Sequence, residues 1–215
     1  GGVGLTFDSA FAEDITLYET YCTDMMGGSW NDSTCTLDNS YAFSGLNSLR
    51  IPEGITLQIN GGTLINDGTL INDGTINNTS YIENTGLIEN NGNINNFDTI
   101  DNYGDIANHH TIENKGTFTN DGYVDNYNTI NNFSDIINDG SIYNSGTIEN
   151  YASIINNDLL ENTGLIENNG NINNYGNIFN YNSIINNNDG TIDNNIDGTL
   201  INDGTIENFS TINNF

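Results

Sequence analysis

The sequence predicts an all-β fold: a single-chain β-solenoid of six-residue repeats, preceded by an irregular, β-rich N-terminal cap. Three observations predict it. From residue 62 onward an apolar residue recurs every six positions, an asparagine follows it two positions later, and a turn-forming residue, usually glycine, opens each unit. An amphipathic helix needs apolar residues every three or four positions, so this period excludes a helical repeat.

The repeat region, residues 62–215, contains 25 hexads, which are interrupted only by two-residue insertions at 188–189 and 196–197. Positions two to four of each hexad predict a short strand whose middle residue points inward. Positions five, six and one predict a corner, because Asp-Gly and Asn-Gly steps recur there. The first position is Gly in 16 hexads and mostly Asn, Asp or Ser elsewhere. These residues tolerate a positive φ best, so we expect that conformation in this column.

The third position of every hexad is Ile, Leu, Val or Phe, and these residues form the predicted core. A triangular prism with about 18 residues per coil, three hexads, is typical of hexapeptide β-helices. Such a prism would bury three of these side chains in each coil. The first members of the predicted core are Leu64, Leu70, Ile76, Ile82, Ile88, Ile94 and Ile100.

The fifth position is Asn in all 25 hexads. Side-chain alternation turns this column inward, where stacked amides of successive coils can donate hydrogen bonds to one another as an asparagine ladder. Such a ladder satisfies amides whose burial without partners would cost about 1–3 kcal/mol each. The predicted ladder includes Asn66, Asn72, Asn84, Asn90, Asn102, Asn114, Asn126, Asn138 and Asn150.

The formal charge is −27, from 29 acidic residues against only Arg50 and Lys115. Two cations cannot neutralise a nucleic-acid backbone or hold an anionic membrane surface, and no apolar run suits membrane insertion. The acids fall mainly in the outward fourth and sixth positions, which predicts a self-repelling wall; weak surface Ca²⁺ binding is the alternative. No catalytic arrangement stands out, so we expect neither an enzyme nor a cofactor.

Aromatic residues recur in the sixth position. Three-fold winding places Phe97, Phe133 and Tyr151 on one edge, and Tyr103 and Tyr175 on another. They are interpreted as rings that stack along the rod, with a sugar-binding or lateral contact strip as the alternative. The threonines of the second position form no regular array when they are sampled once per coil, which argues against ice binding.

Residues 1–61 do not repeat and are interpreted as an N-terminal cap and assembly region. Cys22 and Cys35 predict a disulfide rather than a metal site, because an even pair in such a chain is typical of secreted proteins. A chain that starts at Gly1 rather than Met is expected to be a processed, extracellular protein. Asn31 and Asn77 are the predicted glycosylation sites among the N-x-Ser/Thr sequons.

Two segments of the cap carry a family resemblance. Residues 27–37 read GGSWNDSTCTL and residues 51–57 read IPEGITL, and G-x-I-x-N-x repeats follow. Together they resemble secreted repeat proteins of archaeal and bacterial surfaces, including haemagglutinin-like adhesins and filament-forming solenoids. The resemblance implies an extracellular structural or adhesive role.

The last hexad ends at Phe215 with no capping segment after it. Either the chain is a fragment or another molecule covers this end. We favour the second alternative and expect a head-to-tail homopolymer, in which the N-terminal region of one subunit covers the open C-terminal coil of the next. The predicted assembly residues are Gly1, Val3, Leu5, Phe7, Phe209 and Phe215. The second hypothesis is an adhesin stalk that binds carbohydrate or cell-surface glycans.

Overall fold

The structure is a computed structural model that describes residues 14–45 and 47–215. Three sheets, A, B and C, wind together as a β-solenoid of 10, 11 and 10 strands. Sheet A runs from β1 (Asp14–Thr16) to β29 (Thr199–Asn202), sheet B from β2 (Ser29–Asn31) to β30 (Thr205–Asn208), and sheet C from β4 (Tyr41–Phe43) to β31 (Thr211–Asn214). Ladder residues in adjacent coils have a sequence separation of 18, so the predicted all-β solenoid and its coil length are confirmed. At a strand spacing of about 4.8 Å, ten coils make a rod about 48 Å long.

The described part of the N-terminal cap contributes the first strands of all three sheets. A five-residue π-helix, Tyr21–Met25, lies between the first two strands. The strands are β1 (Asp14–Thr16), β2 (Ser29–Asn31), β3 (Thr34–Leu37), β4 (Tyr41–Phe43), β5 (Ser48–Ile51) and β6 (Thr56–Ile59). β2 and β3 pair antiparallel, whereas β3, β4, β5 and β6 pair parallel with strands of the following coil.

Each hexad contributes one four-residue strand. These are β7 (Thr63–Asn66), β8 (Thr69–Asn72), β9 (Thr75–Asn78), β10 (Tyr81–Asn84), β11 (Leu87–Asn90), β12 (Asn93–Asn96), β13 (Thr99–Asn102), β14 (Asp105–Asn108), β15 (Thr111–Asn114), β16 (Thr117–Asn120), β17 (Tyr123–Asn126), β18 (Thr129–Asn132), β19 (Asp135–Asn138), β20 (Ser141–Asn144), β21 (Thr147–Asn150), β22 (Ser153–Asn156), β23 (Leu159–Asn162), β24 (Leu165–Asn168), β25 (Asn171–Asn174), β26 (Asn177–Asn180), β27 (Ser183–Asn186), β28 (Thr191–Asn194), β29 (Thr199–Asn202), β30 (Thr205–Asn208) and β31 (Thr211–Asn214).

The strands occupy positions two to five of the hexad, one residue more than the sequence predicted. The reason is the asparagine: its backbone continues the strand, so two side chains of each strand point inward rather than one. From β7 to β28 the third and fifth positions are buried and the second and fourth are partly or fully exposed. The third positions from Leu64 to Ile100 are at most 2 % exposed.

Strands of adjacent coils pair at equivalent hexad positions, whatever the length of the corners between them. β10 pairs with β13 so that Tyr81 faces Thr99 and Asn84 faces Asn102, one full coil later. The insertion at 188–189 lengthens one corner, yet Asn174 still faces Asn194. The corners therefore absorb extra residues while the strands keep their partners.

The predicted positive φ of the first column is wrong. Among the described residues the glycines with positive φ are Gly27, Gly45 and Gly54, all in the cap. The hexad glycines are needed instead because the backbone of the preceding coil passes very close. A Cβ built on Gly122 would lie 2.0 Å from the carbonyl oxygen of Gly104, and a carbon atom cannot occupy that position without moving the backbone.

The cap is fastened by a disulfide and a small core. Cys22 of the π-helix and Cys35 of β3 are bonded, with their Cα atoms 5.8 Å apart, as the sequence predicted. Both are fully buried beside Leu17 and Leu37. In the chain-entropy account a loop of this length contributes about 3 kcal/mol. The disulfide is compatible with an oxidising, extracellular compartment.

Substitution of one ladder asparagine is expected to destabilise the rod strongly. Asn174 accepts from Asn156 and donates to Asn194 Oδ1 and to the carbonyl oxygens of Gly176 and Thr199. Asn174→Ala leaves several buried groups without partners, so we expect a loss of about 2–5 kcal/mol in the free energy of unfolding. Denaturant titration followed by circular dichroism measures it. The control is the neighbouring outward residue, where Asn173→Ala should cost less than about 0.5 kcal/mol; equal losses would contradict the ladder's structural role.

Candidate functional site

The asparagine ladders have a direction. In all three sheets the side-chain amide nitrogen of one coil donates to the side-chain oxygen of the next coil toward the C-terminus, as from Asn66 to Asn84 at 2.6 Å. Of the 25 ladder asparagines, three are last in their ladders, and the other 22 all make this bond. The predicted ladder is confirmed.

A second hydrogen bond fixes which amide atom is the donor. The same nitrogen of Asn66 lies 2.8 Å from the carbonyl oxygen of Leu87, at the second position of the next coil. A carbonyl only accepts, so the atom that faces it must be nitrogen. Each ladder therefore offers amide oxygens at its N-terminal end and amide N–H groups at its C-terminal end.

The N-terminal end of each ladder is closed by an apolar side chain. Phe43, Ile51 and Ile59 are paired with the first asparagine of the ladders in sheets C, A and B, respectively, and all three are buried. Asn72 Oδ1, which faces Ile51, is buried without a hydrogen-bond partner. The cap thus terminates the ladders by apolar contact, at a cost of about 1–3 kcal/mol for that oxygen.

Within the described residues the C-terminal end has no such closure. β29, β30 and β31 are the last strands of their sheets, and their ladder residues Asn202, Asn208 and Asn214 are exposed. Ile212, a third-position residue, is 37 % exposed. This end therefore presents free strand edges, amide donors and uncovered core side chains together.

The assembly residues that the sequence singled out are found at this end in part. Phe209 and Phe215 are 60 % and 70 % exposed beside the last strands. Gly1, Val3, Leu5 and Phe7 lie outside the described residues. Sequence reasoning missed Ile196, which is 85 % exposed in the second insertion. The break in hexad phase at that position was the signal that could have identified it.

The aromatic edges have the predicted three-fold arrangement. Phe133 and Tyr151 stack in successive coils, with ring centroids 4.9 Å apart and planes 5° apart. On the same edge the ammonium group of Lys115 lies 5.2 Å from the ring centroid of Phe97. The stacked faces are occupied by neighbouring groups, so this edge presents ring rims rather than the open faces on which a sugar would stack. His109, also exposed, stacks on Tyr127 at 4.7 Å.

A groove of about 630 Å³ lies on the corner between sheets A and B near the cap. Loop 52–54 bounds one end and His110 the other, and Gly74 and Gly92 leave the corner between them free of side chains. Asp73, Asn91, Thr75, Asn93 and Arg50 complete the lining. Arg50 Nε donates to Asp73 Oδ2 at 2.5 Å. This lining offers hydrogen-bond donors and acceptors but no Phe, Tyr or Trp ring.

The sequons differ in access. Asn31 is exposed in β2, and Asn77 is half-buried with its side-chain oxygen accepting from Asn95 at 2.8 Å. Asn78 and Asn132 are fully buried in the ladder. Asn208, the remaining ladder sequon, is exposed in β30, the last described strand of sheet B.

The acidic wall contains one carboxyl whose titration is perturbed. Asp125 lies beside Tyr127, Tyr143 and Glu161 on the outer face of sheet A. Desolvation by these neighbours, and then the charge of Asp105, raise the pKa of Asp125 above its ordinary value. The folded protein therefore holds this proton more tightly than the unfolded chain, and the free energy of unfolding falls as the pH rises through the pKa of Asp125.

Asp125→Asn is accordingly expected to raise the melting temperature at pH 7, by an amount on the order of 1 °C because solvent screens much of the effect. At pH 3 the difference should vanish, since Asp125 is then protonated. Thermal melts at the two pH values measure it, and Asp203→Asn in the last coil is the control for loss of one acid. A destabilised variant at pH 7 would contradict the assigned sign.

The described residues contain no helix long and apolar enough to cross a membrane. In the same part of the chain no three His, Cys, Asp or Glu side chains are grouped to hold a metal ion. Comparisons of the chain with protein-family models, with curated proteins and with solved structures gave no match.

Proposed function

We propose that this protein is the structural subunit of an extracellular filament that assembles head-to-tail, with the N-terminal region of one subunit covering the C-terminal coil of the next. The observation that carries the proposal is the contrast between the ends. The N-terminal coil is closed by Phe43, Ile51 and Ile59, whereas the last coil exposes Ile212 and three ladder amides. A contact between unlike ends repeats without closing and builds a fibre.

The direction of the ladders favours head-to-tail over tail-to-tail contact. Two C-terminal coils facing each other would oppose amide N–H groups to amide N–H groups, and donors cannot satisfy donors. The N-terminal face offers acceptors instead, because Glu19 and Asp24 are exposed between the terminal strands β1 and β2. Tyr18 and Met25, 54 % and 65 % exposed, offer apolar surface on the same segment. The two ends are thus complementary in hydrogen bonding and in apolar area.

The charge of the side wall supports contact at the ends. With 29 acids and two cations in the chain, parallel rods would repel each other along their length. The Lys115 ammonium is paired with Glu113, and Arg50 with Asp73. Both cations are therefore engaged within the rod, and the lateral surface has little with which to attract a second rod.

Filament growth is expected to depend on the last coil. Purified protein should form sedimentable filaments as its concentration rises, and negative-stain microscopy should show fibres. Ile212→Asp places a charge in the uncovered core of the last coil and should remove most of the polymer. Ile137→Asp is the matched control, because it adds the same charge on the outward fourth position of sheet C in mid-rod. A wild-type protein that stays monomeric at all concentrations would overturn the proposal.

The corner groove supports a second candidate function, that of an adhesin stalk or carbohydrate-binding module. Its donors and acceptors, among them Arg50, Asn91 and Asn93, suit the hydroxyl groups of a neutral glycan. A glycan array should then give hits with the wild type that weaken about tenfold or more in Asn93→Ala. An array without hits would remove this candidate and leave the filament proposal unaffected.

A further inference from the structure

We propose that residues Val3–Phe7 of a second copy of this chain add as one further parallel strand to the free edge of β31 and close the asparagine ladder of sheet C. The inference rests on the proposed head-to-tail function and names the segment and the edge that make the contact. Strand addition of this kind gains affinity from main-chain hydrogen bonds and specificity from alternate side chains.

Among the three terminal strands, β31 has the most exposed core residue and the least satisfied ladder amide. Its third-position residue Ile212 is 37 % exposed, whereas Leu200 of β29 and Ile206 of β30 are half-buried. The side-chain nitrogens of Asn202 and Asn208 donate to the carbonyl oxygens of Gly204 and Ser210. The side-chain nitrogen of Asn214 donates to no group within residues 14–45 and 47–215.

The opposite end of the rod shows what closes a ladder. β5 places Leu49 against Leu70 and Ile51 against Asn72, and β6 places Leu57 and Ile59 in the same way. In sheet C, Phe43 is the residue that faces Asn66. A closing strand therefore carries apolar residues at the third and fifth positions, and an aromatic closes the ladder of sheet C.

Residues Val3–Phe7 have this spacing. Val3, Leu5 and Phe7 alternate with Gly4 and Thr6, so a strand would turn all three apolar side chains to one face. With Leu5 opposite Ile212, Phe7 lies opposite Asn214, at the position that Phe43 occupies at the other end of the same ladder. The segment that precedes β1, residues 1–13, spans at most about 45 Å when extended, which is ample for a neighbour whose N-terminal end abuts the last coil.

The hydrogen bonding favours an apolar closing strand at this end. The ladder amides from Asn66 to Asn186 also donate to a second-position carbonyl of the next coil, one corner and in most cases three residues beyond the ladder partner, as Asn66 does to Leu87 and Asn72 to Asn93. In the added segment the equivalent carbonyl belongs to Ala10, three residues after Phe7, so the backbone that follows the added strand around the next corner would satisfy the amide of Asn214. At the N-terminal end the orphaned group is an oxygen, and Ile51 cannot satisfy it. The C-terminal end therefore accepts an apolar closing strand with fewer unpaired groups.

The test compares two full-length variants that add the same charge at adjacent positions. Leu5→Asp should abolish filament growth in the sedimentation and microscopy assays, because it buries a carboxylate against Ile212. Thr6→Asp should polymerise like the wild type, because that side chain faces solvent. Thermal melts of the two variants, recorded at concentrations below polymerisation, should coincide, because both add the same charge at adjacent positions of one segment.

A cross-linking pair tests the edge and the register. Thr6→Cys combined with Asn213→Cys should give intermolecular disulfides under mild oxidation, because the two residues would be directly opposite. Thr6→Cys with Asn173→Cys, two coils away in the same column, should give none. If the wild type fails to polymerise, both this inference and the proposed function fall. If Leu5→Asp still polymerises, or if the two cysteine pairs cross-link equally, only this inference is overturned.

Discussion

The fold depends on one interaction, the hydrogen bond between asparagine side chains of successive coils. A buried amide is expensive unless its donors and acceptor are all paired, and here a coil pairs only part of its own amide groups, such as the bond from Asn126 to the Asn128 carbonyl. Asn126, for example, accepts from Asn108 of the coil before and donates to Asn144 of the coil after. The bond thus fixes the register, keeps the coils aligned and makes each coil stable only within a stack, as expected of a repeat protein whose energy lies in its interfaces.

The same bond gives the rod a polarity that its shape does not have. The three faces are built alike, yet every ladder runs in one direction, and the two ends therefore differ in chemistry. The cap resolves its end by substituting apolar residues and fastening them with the Cys22–Cys35 disulfide. The last coil instead exposes the same residue types that are buried elsewhere in the rod, namely ladder asparagines and third-position apolar side chains. Together with the negatively charged side wall, this polarity is the physical basis of the filament proposal, in which subunits associate through their ends.

The repeat made most of the fold predictable from sequence, because a hexad position that always carries the same residue type indicates whether its side chain is buried. The Ile of the third position and the Asn of the fifth are buried as their spacing indicated, and the Phe133–Tyr151 stack followed from a coil of three hexads. The reason for glycine did not follow, because the close approach of Gly104 to Gly122 depends on how the corners of two coils nest. The role of Phe43 as the end of a ladder was also hidden, since the cap has no hexad phase. The candidate site could be placed at the two ends but not described in detail, because the accessibility of Ile212 and Ile196 is a property of the finished rod.

The two corner insertions have a wider consequence. Each adds two residues, and in each case the flanking asparagines still bond, Asn174 to Asn194 and Asn180 to Asn202. The number of residues in a corner can therefore change without altering the alignment of strands within the sheets. Each coil has three corners. New loops, epitopes or whole modules could therefore be grafted at defined positions along the solenoid axis and at defined orientations around it, without altering the strands.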